Sequence, residues 1–153
     1  MRVTRLIMLA SLVAAANACG AAPGAAGSAG AGAGPAAAWP AEATPEAIAE
    51  GKMLFHTGSC VRCHANNGDG STSGPALSDR QWVHSTGSFA SIVSIIREGV
   101  PQSELSPGYG RPMPPRGAVN MNTPPLTDAQ VTSIAAYVYS ISHTPPGGTS
   151  KQP

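Results

Sequence analysis

Charge is scarce in this sequence. Asp, Glu, Lys and Arg make up 11% of its 153 residues, and aromatic residues 5%. Nine basic residues stand against 8 acidic ones, and no basic block is present of the kind that grips nucleic acid. Cysteine is scarce too, and three residues cannot make a disulfide framework. Outside the N-terminal segment, no apolar run reaches the roughly 18 residues of a transmembrane span. The length fits one domain with appendages, not a large enzyme with a second substrate domain. What is abundant is Gly (18) and Pro (15), both well above their usual shares of about 7% and 5%. This composition describes a modest folded unit diluted by low-complexity sequence.

The N-terminus has the order of a secretory signal. A basic start, Met1-Arg2-Val3-Thr4-Arg5, precedes an apolar run from Leu6 to Ala16 and the small-residue stretch Ala16-Asn17-Ala18-Cys19. Two cuts compete. Cleavage after Ala18 reads an A-x-A site. Cleavage before Cys19, with lipidation of its thiol, reads a lipobox from which Ala16 departs, because leucine is usual three residues before the cysteine. Residues 1–18 are therefore expected to be removed, with Cys19 as a lipidation candidate. The expected location is the periplasm, either tethered to a membrane or free. Gly20 to Ala38 contains only Gly, Ala, Pro and Ser. With nothing large to bury, residues 19–43 read as a flexible tether reaching ~25–30 Å. Residues 145–153 read as a loose tail. Loss of residues 1–18 removes Arg2 and Arg5 and leaves 7 basic against 8 acidic residues, too even a balance to predict a steering field.

Residues 44–144 form the expected domain, and the pattern is helical. Thr44-Pro45-Glu46 offers an N-cap, a proline at the first helical position and an acid in the first turn, with Gly58 as the stop. A second helix is predicted from Ser88 through Ile92 and Ile96 to Gly99. A third opens on the capping box Thr127-Asp128-Ala129-Gln130 and carries Val131, Ile134, Ala135, Val138 and Ile141 at helical spacing. Segments 59–87 and 100–126 are long and rich in Gly and Pro. Loops of that length in a compact domain need something to wrap around, and three helices with so few aromatics make a thin core. The sequence asks for a large apolar ligand.

Cys60-Val61-Arg62-Cys63-His64 supplies one. C-x-x-C-H is the attachment pattern of c-type haem: two thiols spaced to meet two vinyl groups, and an adjacent imidazole to lie under the iron. Export fits such covalent attachment. The competing readings are weaker. Zinc wants four ligands, and Cys19 sits in the processing site. A thioredoxin-like pair belongs in a βαβ setting that this chain lacks. A simple Cys60–Cys63 disulfide remains as the blandest alternative.

At this point the chain resembles a class I monohaem cytochrome c of the short bacterial exported form. The resemblance runs over about residues 45–143 and rests on Gly51-x-x-x-Phe55, Cys60-x-x-Cys63-His64, Gly74-Pro75-Ala76-Leu77, Met113-Pro114-Pro115-x-Gly117, and Leu126-Thr127 leading to Ala136-Tyr137-Val138. It implies an all-α, small class I cytochrome c-like helical fold wrapped around one covalently attached haem c. Gly51 and Tyr137 would mark the crossing of the first and last helices. The carbonyl of Pro75 would accept from the axial His64. A methionine would complete a His/Met pair on the iron, since a soft thioether suits haem and raises its potential. Met113 is favoured because flanking prolines stiffen it in an open conformation. Met121, on the same loop, and His84 stay open as alternatives, whereas Met53 falls in helix packing or solvent. Trp82 and Arg80 are candidate donors to the haem propionates.

Three functions follow from different classes. A His/Met haem with no open position is a one-electron carrier between a redox donor and acceptor, not an enzyme. A dedicated haem subunit of a larger oxidoreductase differs only in serving one partner. A gas sensor or peroxidase needs an open distal position; gas-binding four-helix relatives carry C-x-x-C-H near the C-terminus, and two-haem peroxidases carry it twice.

Overall fold

The computed structural model describes residues 38–118, 120 and 122–146. The expected signal at 1–18, Cys19, most of the tether, Met121 and the end of the tail lie outside the described residues. Four helices appear: α1 (Pro45–Thr57), α2 (Val61–His64), α3 (Phe89–Glu98) and α4 (Asp128–Ser142). Two short 3-10 turns, Gln102–Glu104 and Pro115–Gly117, interrupt the long segment between α3 and α4. No strand forms among the described residues, so the chain is all-α as expected; two isolated bridges pair Ser71 with Gly74 and Val100 with Met113.

The helix ends obey local chemistry. The Thr44 side chain accepts from the Ala47 N–H at 3.2 Å, and the Gly58 N–H closes the last turn on Leu54. Ser88 caps α3 through the Ser91 N–H, and Gly99 ends it at φ +72°. The Thr127 hydroxyl accepts from the Gln130 N–H while the Gln130 side chain accepts from the Thr127 N–H, a complete capping box.

α4 is the centre of the fold, and its middle, residues 133–139, is buried on every side. Ser133 and Tyr137 meet α1, Tyr139 meets Phe89 of α3, and Ile134 and Val138 face the interior cavity described below. The α1–α4 crossing depends on Gly51. A Cβ there would collide with the main-chain carbonyl of Ser133, so only glycine lets the two backbones approach this closely. One turn on, Phe55 packs edge-on against Tyr137 at 5.3 Å between centroids. Phe55 is 1% exposed, and its truncation to alanine would cost about 3–5 kcal/mol.

The fold starts earlier than expected. Trp39 to Ala43, assigned above to the tether, belongs to the folded unit. Trp39 lies edge-on to Tyr139 at 5.2 Å, its indole N–H donates to the Ala43 carbonyl at 2.9 Å, and Ala43 is buried. A lone tryptophan in a Gly/Ala/Pro stretch has no periodicity to announce it.

Candidate haem-binding site

The attachment motif is itself a helix. Cys60 opens α2, and the His64 N–H bonds back to the Cys60 carbonyl at 3.0 Å. Positions i, i+3 and i+4 share one helix face, so one turn brings Cys60, Cys63 and His64 to the wall of a single cavity. That cavity measures about 380 Å³, within the range of small-molecule and cofactor sites. Its other walls are mostly apolar: Leu77 and Trp82, Ile92, Ile95 and Ile96 of α3, Leu126, and Ile134 and Val138 of α4.

The chain after α2 folds back to orient His64. Ala65 leaves the helix at φ +60°, and the Gly70 N–H bonds to the His64 carbonyl at 3.0 Å. Gly70, at φ +81°, permits the close approach of Pro75-Ala76, where a Cβ would stand 2.8 Å from the Pro75 carbonyl carbon. The result is a 2.8 Å hydrogen bond in which His64 Nδ1–H donates to the Pro75 carbonyl. His64 is 8% exposed. Burial pulls its pKa below the usual histidine range, and the Pro75 carbonyl opposes this only in part. The neutral ring with its proton on Nδ1 keeps the Nε2 lone pair free, which is what a metal ligand requires. Burial also pushes the Cys60 thiol up to about 11, with the nearby Cys63 adding to the effect.

Met113 borders the same cavity, held by more than its prolines. Its N–H donates to the Val100 carbonyl at 3.0 Å, and its carbonyl accepts from the Val100 N–H at 2.9 Å. Gly99 makes room for this bridge, since a Cβ there would collide with the Met113 carbonyl. Past Met113, Arg116 adopts φ +51°, rare for a residue with a side chain, and its guanidinium reaches the Leu126 carbonyl at 2.9 Å and the Asp128 carboxylate at 2.7 Å.

Most of the expected site residues are brought together: Cys60, Cys63, His64, Pro75, Trp82 and Met113 all line the cavity. Arg80 does not. It is exposed and off the cavity wall, and its charge is felt instead by His143. The arginines bordering the cavity are Arg62 and Arg111. His84 also borders it, near the Ser106 hydroxyl at 3.4 Å, while Met53 points to solvent. Tyr109, Arg111 and Val100 were missed from sequence; adjacency to Pro112-Met113 was the available signal for the first two. Among the described residues, no group of three or more His, Cys, Asp and Glu converges as a metal cluster.

The donor set fits a covalently held haem: two thiols, a neutral imidazole with its outer nitrogen already bonded, a thioether, and apolar walls. Sequence comparison matches residues 48–142 to the family Cytochrome c. The chain belongs to the cytochrome c family. Curated relatives of this cytochrome c include the cbb3-type cytochrome c oxidase subunit FixP of Azorhizobium caulinodans, 32% identical over 71% of this chain. The CcoP subunit of Rubrivivax gelatinosus is 33% identical over 69%. The chain spans about a third of the length of these relatives, 35% and 31% respectively. Among solved structures, cytochrome CL from the marine methylotroph Methylophaga aminisulfidivorans aligns with a TM-score of 0.50 at 25% identity, covering 66% of this chain and 57% of that one. This cytochrome c domain thus carries one covalently attached haem c.

Proposed function

We propose that the protein is an exported one-electron carrier whose haem is bound through Cys60 and Cys63 and ligated by His64 and Met113. The observation that carries this reading is that all four side chains border one apolar cavity, with His64 Nδ1 already committed to the Pro75 carbonyl. The haem supplies an iron that alternates between ferric and ferrous. His64 and Met113 would hold that iron, and the apolar side chains of α3 and α4 would keep water from it. Trp82, together with Arg111 and Arg62 in place of Arg80, supplies donors for the haem propionates.

Export and a lipid at Cys19 rest on the sequence order of residues 1–19. No helix among the described residues is long and apolar enough to cross a membrane. The partners are redox proteins. A dedicated subunit role is favoured by one observation, that the matched relatives are themselves oxidase subunits roughly three times as long.

The test is the visible spectrum of the reduced protein before and after carbon monoxide. The native spectrum should not change, and Met113→Ala should bind carbon monoxide and lose reduction potential. Binding by the native protein would replace the carrier reading with a gas-binding one.

A further inference from the structure

The turn after Met113 is built in a costly way. Arg116 occupies the left-handed region, at φ +51° and ψ +31°, which favours glycine. The position is nonetheless an arginine, and its side chain makes two hydrogen bonds. One guanidinium nitrogen donates to the Leu126 carbonyl at 2.9 Å and another to Asp128 Oδ1 at 2.7 Å. Its main-chain carbonyl accepts from the Leu126 N–H at 3.0 Å. Three bonds therefore tie one residue of the turn to the segment that opens α4. Asp128 is also paired with Arg97, near the end of α3, at 3.3 Å. Upstream, the two-way bridge between Met113 and Val100 fastens the same turn to the residue just past α3. Met113 is thus itself the upstream fastening, three residues before Arg116.

We propose that Arg116 is a positioning residue, whose bonds to Leu126 and Asp128 lock the 113–117 turn so that the Met113 thioether stays on the haem iron. The inference rests on the reading of Met113 as ligand. A turn free at its downstream end swings about the Val100 bridge and lets the thioether leave. A thioether has no charge to hold it in place, so its retention depends on how well the loop is anchored. Hydrogen bonds from a charged donor are the strong ones, and here they span two elements.

Arg116→Gly is the deciding variant, because glycine suits φ +51° better than arginine does. If the residue serves only the backbone, the variant keeps native ligation or improves it. If the side chain anchors the turn, the variant weakens ligation while the haem stays covalently attached. The readouts are the thioether-to-iron charge-transfer band of the ferric protein and the affinity of the reduced protein for carbon monoxide. Carbon monoxide competes with the thioether, so its apparent affinity follows the fraction of open sites, and a rise of about tenfold or more is expected. Asp128→Ala, which leaves the turn backbone untouched, should weaken the band and raise the affinity less, since the Leu126 bond remains; it decides the matter if Arg116→Gly does not fold. Arg116→Lys should recover part of the native band. A native band and native inertness to carbon monoxide in Arg116→Gly, or in Asp128→Ala where that variant decides, would overturn the proposal. Met113→Ala separates the two failures. If it opens the iron while Arg116→Gly does not, only the role of Arg116 falls; if Met113→Ala leaves the spectrum native, the ligand reading falls and this inference with it.

Discussion

His64 shows how much one imidazole depends on residues that never touch a ligand. Its Nδ1 bond to Pro75 exists because Gly70 can take φ +81° and because Gly74 leaves room beside Cys63 and the His64 ring, where a Cβ would sit 3.0 and 3.2 Å from their nearest atoms. Gly70→Ala should therefore push the 75–76 segment outward and break that bond. With His64 as the proposed ligand, the imidazole would then be a poorer electron donor to iron, and the reduction potential should rise in a redox titration, with a loss of about 1–3 kcal/mol in denaturant unfolding. The motif residues were legible in the sequence because spacing alone specifies them. Arg116 was not, since nothing local marks it: its partners lie 10 and 12 residues away, and its backbone conformation is one that sequence assigns to glycine. Arg80 stands off the cavity wall, which the sequence could not show, because a loop residue's distance from a cavity has no periodic signature.

At the scale of elements, the helices were readable from their caps, and Thr44, Ser88 and Thr127 each open the helix expected of them. The one-turn helix around the cysteines was not, because 4 residues are too few to show a period, and the Val100–Met113 bridge was not, because it joins residues far apart in the chain. The start of α4 also predicts a pH response. Arg116 and Arg97 hold the Asp128 carboxyl below the usual carboxylate range, chiefly through the Arg116 hydrogen bond. A carboxyl depressed in the folded state binds fewer protons there than in the unfolded chain. Its stabilising contribution is present above the unfolded value near 3.9 and is lost as pH falls through the lower folded value. Asp128→Asn should flatten the acid side of the stability profile below about pH 4 and leave it parallel to the native curve near neutrality. Thermal unfolding across that range reads the difference.

For the whole molecule, the site is a seam between segments far apart in the chain, with α2, α3, the 112–114 segment and α4 each giving one wall. The folded unit extends upstream to Trp39, and that has a measurable consequence. A chain beginning at Thr44 loses the Trp39–Tyr139 contact and the cover it provides, and should melt roughly 5–10 °C below one beginning at Ala37. Equal melting temperatures would place Trp39 outside the cooperative unit. Mass measurement of the mature N-terminus decides the anchor: an acylated Cys19 is heavier than the bare residue by its fatty chains, and a free periplasmic form carries none.

The contact at Gly51 limits the substitutions open to this lineage. The obstacle to any larger residue is the carbonyl of Ser133, an atom that every amino acid shares. No replacement at position 133 can make space for it. A suppressor screen begun from Gly51→Ala should return true revertants, or distant changes that stabilise the fold as a whole, and no compensating change at the contact itself.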